Sequence, residues 1–129
     1  MKCDIFYSNF DSKLINKYGW SGEEGRLSLK ITHPLHSEYE RSIDAVDEAL
    51  SKGKFKYMGK MELEKESPDE AMWKLQNDLY AEGHPLKGRS MMWGDVVICG
   101  EKGWIAESDE VGWSGLSCPQ IREFNQLKG

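Results

Sequence analysis

The run Val96-Val97-Ile98-Cys99, the turn Gly100-Glu101-Lys102-Gly103 and the run Trp104-Ile105-Ala106-Glu107 leave this chain few options. Two short β-prone runs separated by a glycine-rich turn are expected to fold back on one another as a β-hairpin. The chain enters that hairpin through Arg89-Ser90-Met91-Met92-Trp93-Gly94-Asp95 and leaves it through Gly112-Trp113. No residue pattern in this stretch spells a reaction.

The rest supplies elements to pack against the hairpin. Lys2 to Ser8 reads as a strand with apolar residues on both faces. Asn9 to Gly25 is polar and glycine-rich. Within it Ser12 to Tyr18 forms a turn or two of helix, with Leu14, Ile15 and Tyr18 on its apolar side, and Gly19-Trp20-Ser21-Gly22 ends it. Arg26 to Thr32 alternates and is expected to be a strand with Leu27, Leu29 and Ile31 inward. Ser37 followed by Glu40 is a capping box. The helix it opens carries Tyr39, Ile43, Val46 and Leu50 on one face and stops at Gly53. Lys54 to Glu64 alternates again, placing Phe55, Tyr57, Gly59, Met61 and Leu63 on one side and a wet, charged face on the other. Gly59 marks a bulge or a close approach.

Ser67-Pro68-Asp69-Glu70 is the clearest boundary, with serine as cap, proline in the first turn and glutamate reaching back. The helix buries Ala71, Met72, Leu75 and Leu79, keeps Trp73 at the core rim, and ends at Gly83. Residues 117–129 form a C-terminal tail, in which Pro119, Ile121, Phe124 and Leu127 suit a short closing helix. The expected fold is α+β, one domain over residues 1–129, with a mixed or antiparallel sheet of about five strands and two helices on one face.

With 129 residues, 39% of them hydrophobic and 30% charged, the chain suits one soluble globule. It holds no apolar run near the roughly 18 residues of a membrane helix and no signal-peptide pattern, so cytoplasm is the expected place. The net charge is −5 and the basic residues are dispersed, which argues against a nucleic-acid grip. Cys3, Cys99 and Cys118 are odd in number and share no Cys-x-x-Cys, so buried, reduced thiols are expected.

Trp20, Trp93, Trp104 and Trp113 each adjoin a glycine. Rings on glycine-flanked turns can stack on bases or sugars or anchor in a partner, and equally can cap the ends of a sheet. Arg89-Ser90 could present a guanidinium to a phosphate or carboxylate; the alternative is an arginine that bonds loop carbonyls and holds Asp95. Asp95 after Gly94 reads as a turn residue capping its own backbone. A catalytic role would need Glu107 or His84 beside it. His33 and His36 lack acid or cysteine companions at ligand spacing, so no metal is expected, and no cofactor motif is present.

Arg89-Ser90-Met91-Met92-Trp93-Gly94-Asp95-Val96-Val97, a hairpin and then Gly112-Trp113 is similar to a signature of the YodL-like family and of small phage and mobile-element proteins. Met92 and Trp93 stand where serine and valine are usual, and the spacing to Gly112-Trp113 is slightly long. The resemblance spans residues 89–113 and implies a small accessory protein that binds and inhibits a host protein, not an enzyme. Two expectations follow. One is an interaction module docking through Trp20, the loop bearing Arg89, Ser90, Trp93 and Asp95, and the rings Trp104 and Trp113. The alternative is a nucleotide or sugar binder using Trp rings with Arg89 on the phosphate.

Overall fold

A computed structural model describes residues 1–33, 41–77, 86, 89–108 and 112–129. The strands are β1 (Lys2–Ser8), β2 (Phe55–Glu62), β3 (Val96–Cys99), β4 (Lys102–Ser108) and β5 (Gly112–Gly115). The helices are α1 (Ser12–Tyr18), α2 (Glu23–Thr32), α3 (Ser42–Ser51), α4 (Pro68–Asn77) and α5 (Cys118–Gln126). The strands form one sheet in the order β2-β1-β3-β4-β5, antiparallel throughout. The fold is therefore α+β, as expected.

Alternation along the inner strands β1 and β3 explains why the sheet is covered on both faces. Phe6, Val96, Ile98 and Ile105 point to one side and pack with Leu27 and Ile31 of α2, Ala45, Val46 and Ala49 of α3, and Phe124 of α5. Cys3, Ile5, Tyr7, Val97 and Cys99 point to the other and meet Ala71 and Leu75 of α4 together with Leu86 and Met91. Among the described residues, α2, α3 and α5 cover one face and α4 the other, where two helices on one face were expected. The short closing helix expected in the 117–129 tail is α5, which buries Ile121 and Phe124. Phe124 is fully buried against Phe6 and Phe55, with ring centroids 5.1 and 4.9 Å away. Such ring pairs contribute about 0.5–1.5 kcal/mol each beyond their burial.

The largest departure is Arg26 to Thr32, which is helix α2 and not a strand. Glu24, Leu27, Ser28, Ile31 and Thr32 are its buried side chains, an i, i+3, i+4, i+7, i+8 stripe. Leu29 lies off that stripe and is half-buried. A window opened at Arg26 hides the stripe, because Leu27, Leu29 and Ile31 also fit a period of two. The fifth strand is instead β5.

Gly59 carries both features expected of it. Pairing between β1 and β2 slips beside it, at Ile5/Phe6, and a Cβ at Gly59 would lie 2.7 Å from Leu86 Cδ2. The slip also exchanges the faces of β2. Phe55 and Tyr57 join the α3 side, and Met61 and Leu63 the α4 side, so the single apolar side expected for Lys54–Glu64 is corrected to two. The hairpin turn is tighter than expected: Lys102 and Gly103 already pair with Cys99 and Ile98, leaving Gly100 and Glu101 to turn.

Register also overturns the expectation of reduced thiols at Cys3 and Cys99. Asp4 lies opposite Ile98 and Ile5 opposite Val97, which places Cys3 opposite Cys99. Their Cα atoms are 4.4 Å apart and the two form a disulfide, at the spacing of a non-hydrogen-bonded antiparallel pair. Cys118 is free and exposed.

Helix α4 starts at Pro68 as expected, but Glu70 accepts from Glu64 N–H at 2.9 Å instead of reaching back to Ser67. Trp73 is 62% exposed rather than at the core rim. The Ser37–Glu40 capping box, Tyr39, Leu79 and the stop at Gly83 lie outside the described residues. Among the described residues no helix is long and apolar enough to cross a membrane.

Candidate functional site

The loop before β3 and the end of β1 meet where these two inner strands end, and Arg89 joins them. Its Nη1 donates to Asp95 Oδ2 and its Nη2 to Asp95 Oδ1, both at 2.7 Å. The same two nitrogens reach the carbonyls of Ser90 at 3.0 Å and Ser8 at 2.9 Å. The guanidinium lies over the Tyr7 ring, 4.3 Å from its centroid, which adds a cation–π contact. Asp95 is fully buried. It also accepts from Met92 N–H at 2.8 Å, Ser8 N–H at 3.0 Å and the Ser8 hydroxyl. Burial pushes its carboxyl above the ordinary range, while Arg89 and the Met92 and Ser8 N–H groups pull it back. Burial and the Asp95 charge push the Tyr7 hydroxyl far up, so it stays neutral; its Oη is buried and finds no hydrogen-bond partner among the described residues.

These contacts decide what Asp95 can do. Its five incoming hydrogen bonds fill the roughly four lone-pair directions of a carboxylate. None remains for a substrate proton, so Asp95 is not placed to act as a general base. Glu107, also fully buried, is committed elsewhere. It accepts from Arg41 Nε at 3.0 Å and from Ile43 N–H at 3.1 Å in the first turn of α3, where Arg41 also bonds the Ser114 hydroxyl. Asp95 and Glu107 therefore serve as separate anchors. His84 and His36 lie outside the described residues. Among the described residues no three histidine, cysteine, aspartate or glutamate side chains gather as a metal would need.

The tryptophans do not converge. Trp104 and Trp113 are half-buried and pack on the α4-side core, and Trp113 Nε1 donates to Asp69 Oδ1 at 2.9 Å, tying β5 to the start of α4. Trp93 is half-buried, edge-on to His33 at 5.8 Å. These two rings, with Gln76 and Met92, line a cleft of about 480 Å³. Ser90 is half-buried beside Arg89. Trp20 alone of the candidate rings is open, 55% exposed on the turn between α1 and α2.

That turn is the part of the surface sequence reasoning undervalued. Helix α1 buries no residue. Leu14 and Tyr18 are 39% and 60% exposed. They line a groove of about 610 Å³ with Leu27, Glu23, Lys52 and Lys54. Gly25 lets the turn sit directly on α2: a Cβ there would be 2.6 Å from Gly19 O and from Trp20 Cα. The signal was present in the sequence as Leu14 and Tyr18 on a helix too short to bury them and Trp20 on the turn that follows it.

No family model matches the chain, and neither the curated proteins nor the solved structures contain a match.

Proposed function

We propose that this protein is a non-enzymatic interaction module that docks on another protein and modulates it. The observation that carries the reading is the α1–α2 corner, where Leu14, Tyr18 and Trp20 stand in solvent while the buried carboxylates are spent on internal anchoring. Tyrosine and tryptophan dominate the energetics of protein interfaces because they bury large, rigid area at low entropy cost. The similarity of residues 89–113 to the YodL-like signature supports a phage- or mobile-element-encoded inhibitor of a host protein, acting in the host cytoplasm. The Cys3–Cys99 disulfide bears against that compartment, since disulfides persist mainly under oxidising conditions. Intact-mass analysis of protein alkylated inside cells reads which holds.

The test is capture from bacterial lysate on immobilised protein. Wild type and Trp73→Ala retain one stoichiometric protein, and Tyr18→Ser/Trp20→Ser loses it while unfolding at an unchanged temperature. Equal capture by all three, or none by wild type, removes the reading.

A second reading, a nucleotide or sugar binder, draws on the cleft beside Trp93, whose volume suits a small ligand. Arg89 gives it no support, because a phosphate would have to displace Asp95. Titration of tryptophan fluorescence with a nucleotide and sugar panel decides it; a flat response disposes of it.

A further inference from the structure

We infer that the α1–α2 corner pairs with the same corner of a second copy of this chain, making a two-fold dimer. The inference rests on the reading of that corner as a docking surface and names its occupant in the isolated protein.

Charge selects the occupant. A two-fold contact brings one patch against itself, so the patch must be its own complement. The groove has apolar walls at Leu14 and Tyr18. Acids Glu23 and Glu24 lie on its α2 side, and bases Lys52 and Lys54 on the turn between α3 and β2. Within one chain, Lys52 Nζ meets Glu23 Oε1 at 2.5 Å and Lys54 Nζ meets Glu24 Oε1 at 2.8 Å. These four side chains cancel one another in a chain of net charge −5, and Lys17 Nζ, 5.2 Å from the Tyr18 ring centroid, adds one positive charge at the rim. A two-fold axis passing between the acid side and the base side of the groove would lay the acids of one copy over the bases of the other, and the two outer pairs would become a four-charge network. A partner of one dominant sign would meet like charge in half of the groove. Glu23 and Lys52 are the accessible members, with side chains 72% and 37% exposed, whereas Glu24 is buried and also holds Asp11 N–H at 2.6 Å.

Sedimentation equilibrium of the full chain tests this. Wild type is expected to sediment as a dimer, and Tyr18→Ser/Trp20→Ser as a monomer with unchanged unfolding. Glu23→Lys makes the outer pair all basic and Lys52→Glu makes it all acidic. Each variant alone is expected to dimerise at least roughly tenfold more weakly, because a two-fold contact repeats every repulsion. An equimolar mixture of the two is expected to recover the dimer, as a basic groove meets an acidic one. A wild-type chain that stays monomeric to on the order of 1 mM overturns the inference, as does a dimer indifferent to Tyr18 and Trp20 or a mixture no stronger than its parts. Lysate capture that depends on Tyr18 and Trp20 alongside a monomeric wild type would leave the docking reading standing and remove only the second copy.

Discussion

Arg89 meets Asp95 as a parallel fork, with Nη1–Oδ2 and Nη2–Oδ1 both 2.7 Å, and the carboxylate has no exposure to solvent. Removing one partner of such a pair strands a buried charge, at a cost of about 3–5 kcal/mol. The Arg89 side chain is 37% exposed, which favours the lower end of that range. Arg89→Ala is therefore expected to lose about 3 kcal/mol in urea unfolding. Arg89→Lys should recover little of it, since an ammonium cannot bridge both oxygens. An Arg89→Ala chain as stable as wild type would show that the fork does not hold this loop in place.

The Cys3–Cys99 bond closes a loop of 96 residues' separation between neighbouring inner strands. Cross-linking so long a loop removes much of the unfolded chain's freedom and stabilises by about 3–5 kcal/mol. Cys3→Ala/Cys99→Ala should unfold at correspondingly lower denaturant. In native wild-type protein, alkylation should label Cys118 alone, because it is the exposed free thiol. Labelling of three thiols without reductant would contradict the bond.

These residues also show how far sequence carries. The hairpin, β1, α1, the start of α4 and the special role of Gly59 follow from local rules of turn chemistry and period. Arg89 holding Asp95 was readable too, as a turn arginine near a turn acid. What local rules cannot see is pairing across the chain. Cys3 finds Cys99, and Glu107 finds Arg41, only once strand order is set. Helix α2 was obscured because apolar residues at 27, 29 and 31 satisfy two periods at once, and the deciding members of its stripe, Glu24 and Ser28, are polar. Ring exposure was misjudged for a related reason. Trp104 and Trp113 sit on strands whose α4-side face is covered, while Trp20 sits on a turn and Trp73 on a helix, and both rings are more than half exposed.

Asp4 sets an acid limit. It is buried and accepts from Tyr57 Oη at 2.9 Å, Lys60 Nζ at 3.0 Å and Lys128 Nζ at 3.0 Å. Burial alone would raise its carboxyl, but the bonds from Lys128, Lys60 and Tyr57 outweigh it and hold the group below its ordinary value of 3.8. A depressed folded-state value means stability that is present above the unfolded value and lost as pH falls through the folded one. Asp4→Asn should therefore be less stable than wild type at pH 7, with the gap closing between roughly pH 5 and pH 2. Thermal unfolding across that range reads it, and a gap that is constant with pH would detach Asp4 from acid stability. Lys128→Ala should shrink the same pH-dependent component, because it removes one of the lowering partners.

Gly25 links stability to the docking corner. It is buried in α2, and a methyl group on it would press on Gly19 O and Trp20 Cα at 2.6 Å. Both are backbone atoms, so no side chain can swing aside and the α1–α2 turn must move outward. Gly25→Ala gains helix propensity of up to about 1 kcal/mol yet forces an overpacked contact costing about 1–3 kcal/mol. The net expected is a modest loss of stability together with displaced Tyr18 and Trp20. Partner capture and dimerisation should fall further than stability does. Gly115→Ala is the control, since none of the described residues lies within 4 Å of its would-be Cβ, and it should change stability by less than about 0.5 kcal/mol. If Gly25→Ala leaves capture and self-association intact, the corner is not the surface on which this protein works.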